Sequence, residues 1–284
     1  MNKNIYLLLI IFSIFFSCKS ELITNQEERS DLSILVISSD HSLGENTLRF
    51  AVIDNEGKIV EEDLAKITIK NIESGMSSIL IEVQYEEWFT GKGAYKSEVF
   101  LSEHGNFEIM VERDNKSYGY ALFQVTKNSL TPKIGFPPPK IDTKSAKNYE
   151  DIINISSDPK PNLNLYKITY QEAIINNLPT IIVFSTPGLC VSGTCGPLLE
   201  HVKQISTIYP DCNYIHVEVY ENFIGKSLND IDSLKVSSPT KAWNLPTEPW
   251  VFFLDREGIL NYKLEGFATY EELLDLTEKI LNYK

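Results

Sequence analysis

The chain has 284 residues and a formal net charge of −13, from 26 basic and 39 acidic side chains. An acidic chain of this kind argues against binding to nucleic acid and against electrostatic adhesion to anionic lipid. If Cys18, at the end of the N-terminal apolar stretch, is lipidated, three thiols remain, and an odd number argues against a disulfide-stapled scaffold. The length predicts two domains.

The first residues have the composition of a signal peptide. A basic start precedes an apolar run over residues 5–16, which is too short to span a bilayer as a permanent helix. Cys18 ends a stretch that resembles a bacterial lipobox, in which the cysteine is lipidated, although Phe16 stands where a smaller residue is usual. We therefore predict a signal peptide over residues 1–17, a lipid anchor on Cys18 with a polar tether over residues 18–30, and a location outside the cytoplasm, on the cell membrane or the outer membrane. An uncleaved anchor and simple secretion are the alternatives.

Residues 31–127 contain short alternating or apolar runs with turn residues between them. The predicted strands are residues 32–37, 47–53, 65–69, 79–85, 95–101, 106–111 and 118–125. Seven strands at this spacing, without helical periodicity, predict an all-β immunoglobulin-like sandwich. We expect Trp88 in its core or, together with Phe89, in an exposed contact patch.

Residues 128–161 are rich in proline and include three consecutive prolines at residues 137–139. Consecutive prolines favour an extended, semi-rigid spacer that neither a helix nor a sheet can absorb. We therefore predict that this segment is the linker between two domains.

Helical and strand patterns alternate over residues 162–284. Capping boxes at Thr169–Glu172 and Thr269–Glu272 each predict the start of a helix. The predicted strands are residues 180–185, 213–220, 250–255 and 259–264. This order predicts one layered α/β domain.

Two cysteines lie where the first of these strands leads into the next helix. Cys190 precedes Cys195 by five residues, and Cys195-Gly-Pro opens a helix-like run. A thiol at a helix N-terminus lies in the positive end of the macrodipole, which favours the thiolate. The upstream cysteine is placed to trap it as a disulfide, so the spacing predicts a dithiol redox site. Cys212, at the entry to a later strand, is expected to be a small buried thiol.

This arrangement resembles the thioredoxin fold. The matching residues are Phe184 at the strand end, Cys195-Gly-Pro at the helix start and Pro249 at the entry to a later strand. The resemblance implies that Pro249 is cis and lies beside the thiols, where it shapes the groove for a partner. Over nearly its whole mature length the chain also resembles bacterial envelope proteins that join a β-sandwich to a thioredoxin-like domain with a Cys-x4-Cys-Gly-Pro loop.

The chain departs from a standard thioredoxin at three positions. Leu198 follows the Cys-Gly-Pro motif, so the usual resolving cysteine is missing and Cys190 must replace it. Val183 stands where many thioredoxins have a buried acid. Glu248 directly precedes the expected cis-proline, where it would raise the pKa of the thiols if ionised, or relay protons if partly protonated.

The expected function is thiol–disulfide exchange with protein thiols or disulfides of the envelope, without a cofactor. We expect Cys195 to attack a partner disulfide and Cys190 to resolve the mixed disulfide, with electrons supplied by a redox partner protein. The β-sandwich would present a partner or hold the redox domain away from the membrane.

Other interpretations of the same residues lead to different functions. A copper(I) chaperone would use Cys190, Cys195 and His216, because two thiols and an imidazole make a soft ligand set. A histidine in the middle of a strand is, however, more often satisfied within the core. A non-catalytic interaction protein would keep the cysteine bridge as a structural clip, although closing so short a loop gains little chain entropy. A peroxidase would use Ser192, which has the expected offset from the reactive cysteine, but Pro187 is one residue out of place.

Overall fold

The computed structural model describes residues 31–61, 66–80, 82–89, 92–113 and 118–282. The predicted signal peptide, Cys18 and the tether lie outside these described residues. Within the described ranges, no helix is both long enough and apolar enough to cross a membrane.

Strands alone make up the regular structure of the N-terminal half of the described chain. They are β1 (Leu32–Val36), β2 (His41–Ser42), β3 (Gly44–Asp54), β4 (Lys66–Asn71), β5 (Ser77–Ile79), β6 (Gln84–Phe89), β7 (Lys92–Leu101), β8 (Gly105–Glu112) and β9 (Tyr118–Thr126). One sheet has the order β1-β3-β7-β6, and a second has the order β2-β9-β8-β4-β5.

The two sheets enclose one apolar core. Phe50 on β3 and Ile109 on β8 are fully buried in it, one from each sheet. Successive side chains on a strand point to opposite faces. Arg49 and Ala51, on either side of Phe50 in β3, therefore lie on the outer face of the first sheet. The structure is thus a two-sheet sandwich, and its immunoglobulin-like character stays a prediction.

The predicted strand at residues 79–85 is wrong. Ile79 ends β5 and Gln84 begins β6, and these two strands belong to different sheets. A continuous run of strand-forming residues does not reveal where the chain crosses from one sheet to the other, because both strand ends have the same composition.

The C-terminal half combines helices with a third sheet. Its helices are α1 (Tyr149–Ile152), α2 (Tyr170–Ala173), α3 (Cys195–Ile208), α4 (Ser238–Ala242) and α5 (Tyr270–Asn282), with 3₁₀ turns at Leu163–Leu165 and Leu228–Ser233. Its strands are β10 (Thr180–Phe184), β11 (Asn213–Val217), β12 (Trp250–Leu254) and β13 (Leu260–Glu265). The sheet order is β11-β10-β12-β13, with β10 parallel to β11 and antiparallel to β12.

Apolar layers cover both faces of this third sheet. Val183 and Phe253 pack in a cluster with α3 and α5, whereas Phe184 and Phe252 pack with α2 and Trp243. The helix–sheet–helix arrangement fits the thioredoxin-like α/β fold that the sequence predicts for this half.

Only one of the two predicted capping boxes is complete. At the start of α2, the side chains of Thr169 and Glu172 each bond the other residue's backbone N–H. At the start of α5, the Glu272 N–H donates to Thr269 Oγ1 at 3.1 Å. The Glu272 carboxylate instead accepts a hydrogen bond from Arg49 in the β-sandwich.

The proline-rich segment, residues 128–161, is not an extended spacer. Ile141 and Ile152 are buried in the two apolar layers of the C-terminal half. Asp158 pairs with Lys203 of α3 at 2.6 Å. The prolines predict an absence of strands correctly, but apolar residues outside the proline run supply surface that packs on the C-terminal sheet.

The outer face of the β1-β3-β7-β6 sheet contacts the C-terminal half directly. Arg49 Nη2 lies 2.6 Å from Glu272 Oε1. Trp88, expected in the sandwich core or in an exposed patch, instead packs against Phe267, with the two ring centroids 5.2 Å apart and the rings tilted by 33°. The β-sandwich therefore packs directly against the C-terminal half and is not a separated module.

Candidate redox site

Cys190 and Cys195 form a disulfide, with their Cα atoms 6.0 Å apart. Cys195 is the first residue of α3 and is fully buried, with 0% of its surface exposed. Cys190 lies in the preceding loop and is partly exposed. Of the two residues, Cys190 is therefore the one that a partner can reach, whereas the sequence led us to expect Cys195 to react first.

Hydrogen-bond donors surround the sulfur of Cys190. The backbone N–H of Cys195 donates to Cys190 Sγ at 3.4 Å, and Ser192 Oγ lies 3.2 Å from the same sulfur. Ser192 Oγ in turn lies 2.7 Å from Thr194 Oγ1. Hydrogen bonds and the N-terminus of a 14-residue helix both stabilise negative charge on sulfur. Ser192, which the peroxidase interpretation assigned to Cys195, thus bonds the other cysteine.

Two glycines allow the loop its path. Gly193 has a φ of +72°, in the left-handed region that favours glycine. A Cβ on Gly188 would lie 2.8 Å from the carbonyl oxygen of Ser157, so a side chain there would force the backbone apart. The Gly188 N–H donates to Ser157 Oγ at 3.0 Å. The proline-rich segment therefore packs directly against the cysteine loop and hydrogen-bonds its backbone.

Glu248 lies two residues before β12. In space it is next to the end of β10, at the start of the cysteine loop. The N–H of Thr186 donates to Glu248 Oε2 at 2.6 Å. The peptide bond from Glu248 to Pro249 is cis, as the resemblance implies. Burial raises the pKa of Glu248 to about 7, although the hydrogen bonds from Thr186 oppose this. Near neutral pH this group is therefore present in both its protonated and its ionised form.

A second buried acid, Glu218, was given no role from the sequence. It follows β11 and accepts hydrogen bonds from the Ser157 N–H and, at 3.2 Å, from Ser156 Oγ. Burial raises its pKa to about 7. The sequence signal that could have identified Glu218 is its position, a carboxylate directly after the apolar strand β11. Although Val183 is apolar, the end of the sheet thus holds two buried acids at other positions.

His216 does not join the cysteines. Its Nε2 lies 3.0 Å from the carbonyl oxygen of Ser185, which can only accept, so Nε2 carries the proton. Its Nδ1 lies 2.8 Å from the hydroxyl of Tyr166. Burial lowers the pKa of His216 to about 4. Among the residues that the structure describes, no three His, Cys, Asp or Glu side chains are grouped to hold a metal ion. The copper(I) alternative therefore lacks its third ligand.

Cys212 is a free, buried thiol, in agreement with the expectation for it. Burial raises its pKa to about 12, so it stays protonated at neutral pH and is a poor nucleophile. The chemistry of the site is thus left to the Cys190–Cys195 pair.

Glu248 is expected to make protein stability depend on pH. Its pKa rises from 4.5 to about 7 on folding, so between these values the folded state keeps a proton that the unfolded chain releases. The stabilisation is complete below pH 4.5 and is lost as the pH rises through 7. Urea unfolding at acidic and mildly alkaline pH should show a smaller loss of stability in Glu248→Gln than in the wild type. Replacement of the exposed Glu221 by Gln is the control, and an equal loss in all three proteins would contradict the assignment.

Comparison with known proteins gives similarity to solved structures only. No model of a known protein family matches the chain, and no curated protein sequence matches it. A thioredoxin-family thiol:disulfide interchange protein from Chlorobium tepidum is similar at 12% identity and a TM-score of 0.34, over 53% of this chain and 99% of that one. StoA from Bacillus subtilis is similar at 15% identity and a TM-score of 0.30, over 43% and 94% of the two chains.

The exposed lipoprotein thioredoxin Etrx1 from Streptococcus pneumoniae is similar at 18% identity and a TM-score of 0.29, over 40% of this chain and 95% of that one. Similarity at this level carries no argument about activity. The thioredoxin-like description of the C-terminal half follows from its own sheet order and from the helices that cover both faces of that sheet.

Proposed function

We propose that this protein is a thiol–disulfide oxidoreductase that acts on protein thiols or disulfides through Cys190 and Cys195. The observation that carries the proposal is the disulfide at the N-terminus of α3, with one partly exposed and one fully buried cysteine. This asymmetry suits dithiol exchange, because one sulfur must be accessible to form the mixed disulfide with the partner, while the second sulfur, held close by, breaks that mixed disulfide.

The proposed exchange begins at Cys190. A partner thiolate attacks Cys190 Sγ, a bond forms between the partner and Cys190, and the Cys190–Cys195 bond breaks. Cys195 leaves as a thiolate at the start of α3, where the helix dipole stabilises it. A second partner thiolate then attacks the partner's own sulfur in the mixed disulfide and releases Cys190 as a thiolate. The partner loses two electrons and this protein gains them; the reverse sequence reduces a partner disulfide.

This order reverses the roles that the sequence assigned to the two cysteines. The sequence places Cys195 at the helix start, which favours its thiolate, but the three-dimensional structure buries that residue completely. We keep Glu248 as the proton relay, because burial raises its pKa to about 7 and it lies at the end of β10. Pro249 is proposed to border the groove that receives the partner.

The domain limits and the location are part of the same proposal. We propose an immunoglobulin-like domain over residues 31–127 and a thioredoxin-like domain over residues 162–284, joined by residues 128–161, part of which packs into the core of the second domain. The lipobox-like stretch supports lipidation of Cys18 and a place on the outer side of a cell membrane. Disulfides persist in that compartment, and partner proteins there carry the thiols or disulfides to be exchanged.

A redox titration of the mature chain tests the proposed function. Alkylation and mass spectrometry at each potential would follow Cys190 and Cys195, with buried Cys212 as an internal control. A midpoint well above about −300 mV, with Cys190 alkylated before Cys195, is the expected result. A bridge that stays closed below that potential would support the structural clip and overturn the exchange mechanism.

A further inference from the structure

A cavity of about 870 Å³ lies between the two halves of the protein, next to the cysteine loop. Leu35, Ala51 and Ile53 line it from the outer face of the β1-β3-β7-β6 sheet. Thr194 from the cysteine loop and Glu248 line it from the C-terminal half. The β-sandwich therefore supplies an apolar wall beside the groups proposed to carry out the exchange.

The size and lining of the cavity limit what can occupy it. Its volume is at the upper end of the range for ligand pockets, which is about 300–1,000 Å³. Leu35 is 57% exposed, so the outer sheet face keeps apolar surface available to an incoming molecule. An occupant that gains from this wall must bring large apolar groups of its own, because burial of apolar surface is the main favourable contribution here.

The position of the cavity adds a second requirement. Ser192 lines it, and Ser192 Oγ lies 3.2 Å from Cys190 Sγ. A partner that forms a mixed disulfide with Cys190 therefore places the residues beside its own cysteine next to this apolar lining. Under the proposed function the partner is a protein, so the occupant is a segment of polypeptide.

We propose that this cavity binds an extended segment of the partner protein in which large apolar residues flank the reacting cysteine. The proposal rests on the proposed function and adds a substrate class to it. The β-sandwich then contributes to substrate specificity. Partner cysteines flanked by apolar residues bind the cavity and react faster than cysteines flanked by polar residues.

Binding of two labelled peptides tests this without relying on exchange. Both fluorescein-labelled peptides carry Ser in place of the reacting Cys; one has Leu and Phe around it, and the other has Gln and Ser. We expect the apolar peptide to bind the oxidised, mature protein at least about tenfold more tightly, and Leu35→Glu to remove that advantage. Leu122→Glu is the matched control, because Leu122 is 63% exposed on β9, in the other sheet, and should leave affinity within about twofold.

The outcomes separate this inference from the proposed function. Equal binding of the two peptides, or unchanged binding in both Leu35→Glu and Leu35→Ala, overturns the inference even if the redox titration supports exchange. Selective binding together with a bridge that stays closed supports the cavity and overturns the proposed exchange. Displacement of the apolar peptide by oleate at lower concentration than by unlabelled peptide overturns the choice of a polypeptide in favour of an acyl chain. Reduction by dithiothreitol, which needs no wall, should proceed equally in the wild type and in Leu35→Glu.

Discussion

A Cys195→Ser variant is expected to accumulate a mixed disulfide with its partner, joined at Cys190. The partly exposed Cys190 can still attack a partner disulfide, but no second thiol remains in the loop to release the product. Turnover should fall to background while the covalent complex builds up. Non-reducing electrophoresis followed by mass spectrometry of the linked peptide measures both the amount of complex and the residue that forms it.

Cys190→Ser is the matched control for this trap. It also abolishes turnover, but the remaining Cys195 is fully buried and should form little or no complex. Cys212→Ser should behave like the wild type, because that thiol is buried and its pKa is raised to about 12. Efficient trapping by Cys190→Ser, with none by Cys195→Ser, would restore the order of attack predicted from the sequence.

Glu272→Gln is expected to lower the free energy of unfolding by about 3 kcal/mol, because it leaves a buried guanidinium without its close carboxylate. The side chain of Arg49 is 3% exposed and lies 2.6 Å from Glu272, whereas Glu86 is 3.9 Å away. Burial raises the pKa of Glu86, so this more distant carboxylate is a weak substitute for the lost charge. Urea unfolding at neutral pH gives the difference.

Glu271→Gln removes the same charge from the same helical turn, but at an exposed position. Its effect should stay within about 0.5 kcal/mol. A loss in Glu272→Gln no larger than in Glu271→Gln would contradict the view that this ion pair holds the two halves together. If the pair does hold them, the cavity between the halves should also bind the apolar peptide less tightly in Glu272→Gln.

Local patterns predicted the parts of the structure that depend on neighbouring residues. The Thr169 capping box forms as expected, and the Cys-Gly-Pro stretch begins α3 where its sequence indicates. Each of these features is decided within a few residues, where spacing and side-chain type carry enough information.

Contacts between distant segments could not be predicted in this way. Arg49 and Glu272 are 223 residues apart, and neither stretch signals its partner. The same holds for the order of attack, because the burial of Cys195 depends on how the whole C-terminal half packs around the loop. The partners of His216, Tyr166 and Ser185, likewise come from other elements.

The proline-rich segment holds the cysteine loop in place through hydrogen bonds. This contact determines the smallest piece of the protein that recombination or protein engineering can transplant. A piece cut at residue 162 would leave behind Ser157, which bonds both Gly188 and Glu218. It would also leave Ile141, which fills one apolar layer of the third sheet. The heritable module is therefore longer than its thioredoxin-like appearance indicates, and it begins upstream of Ile141.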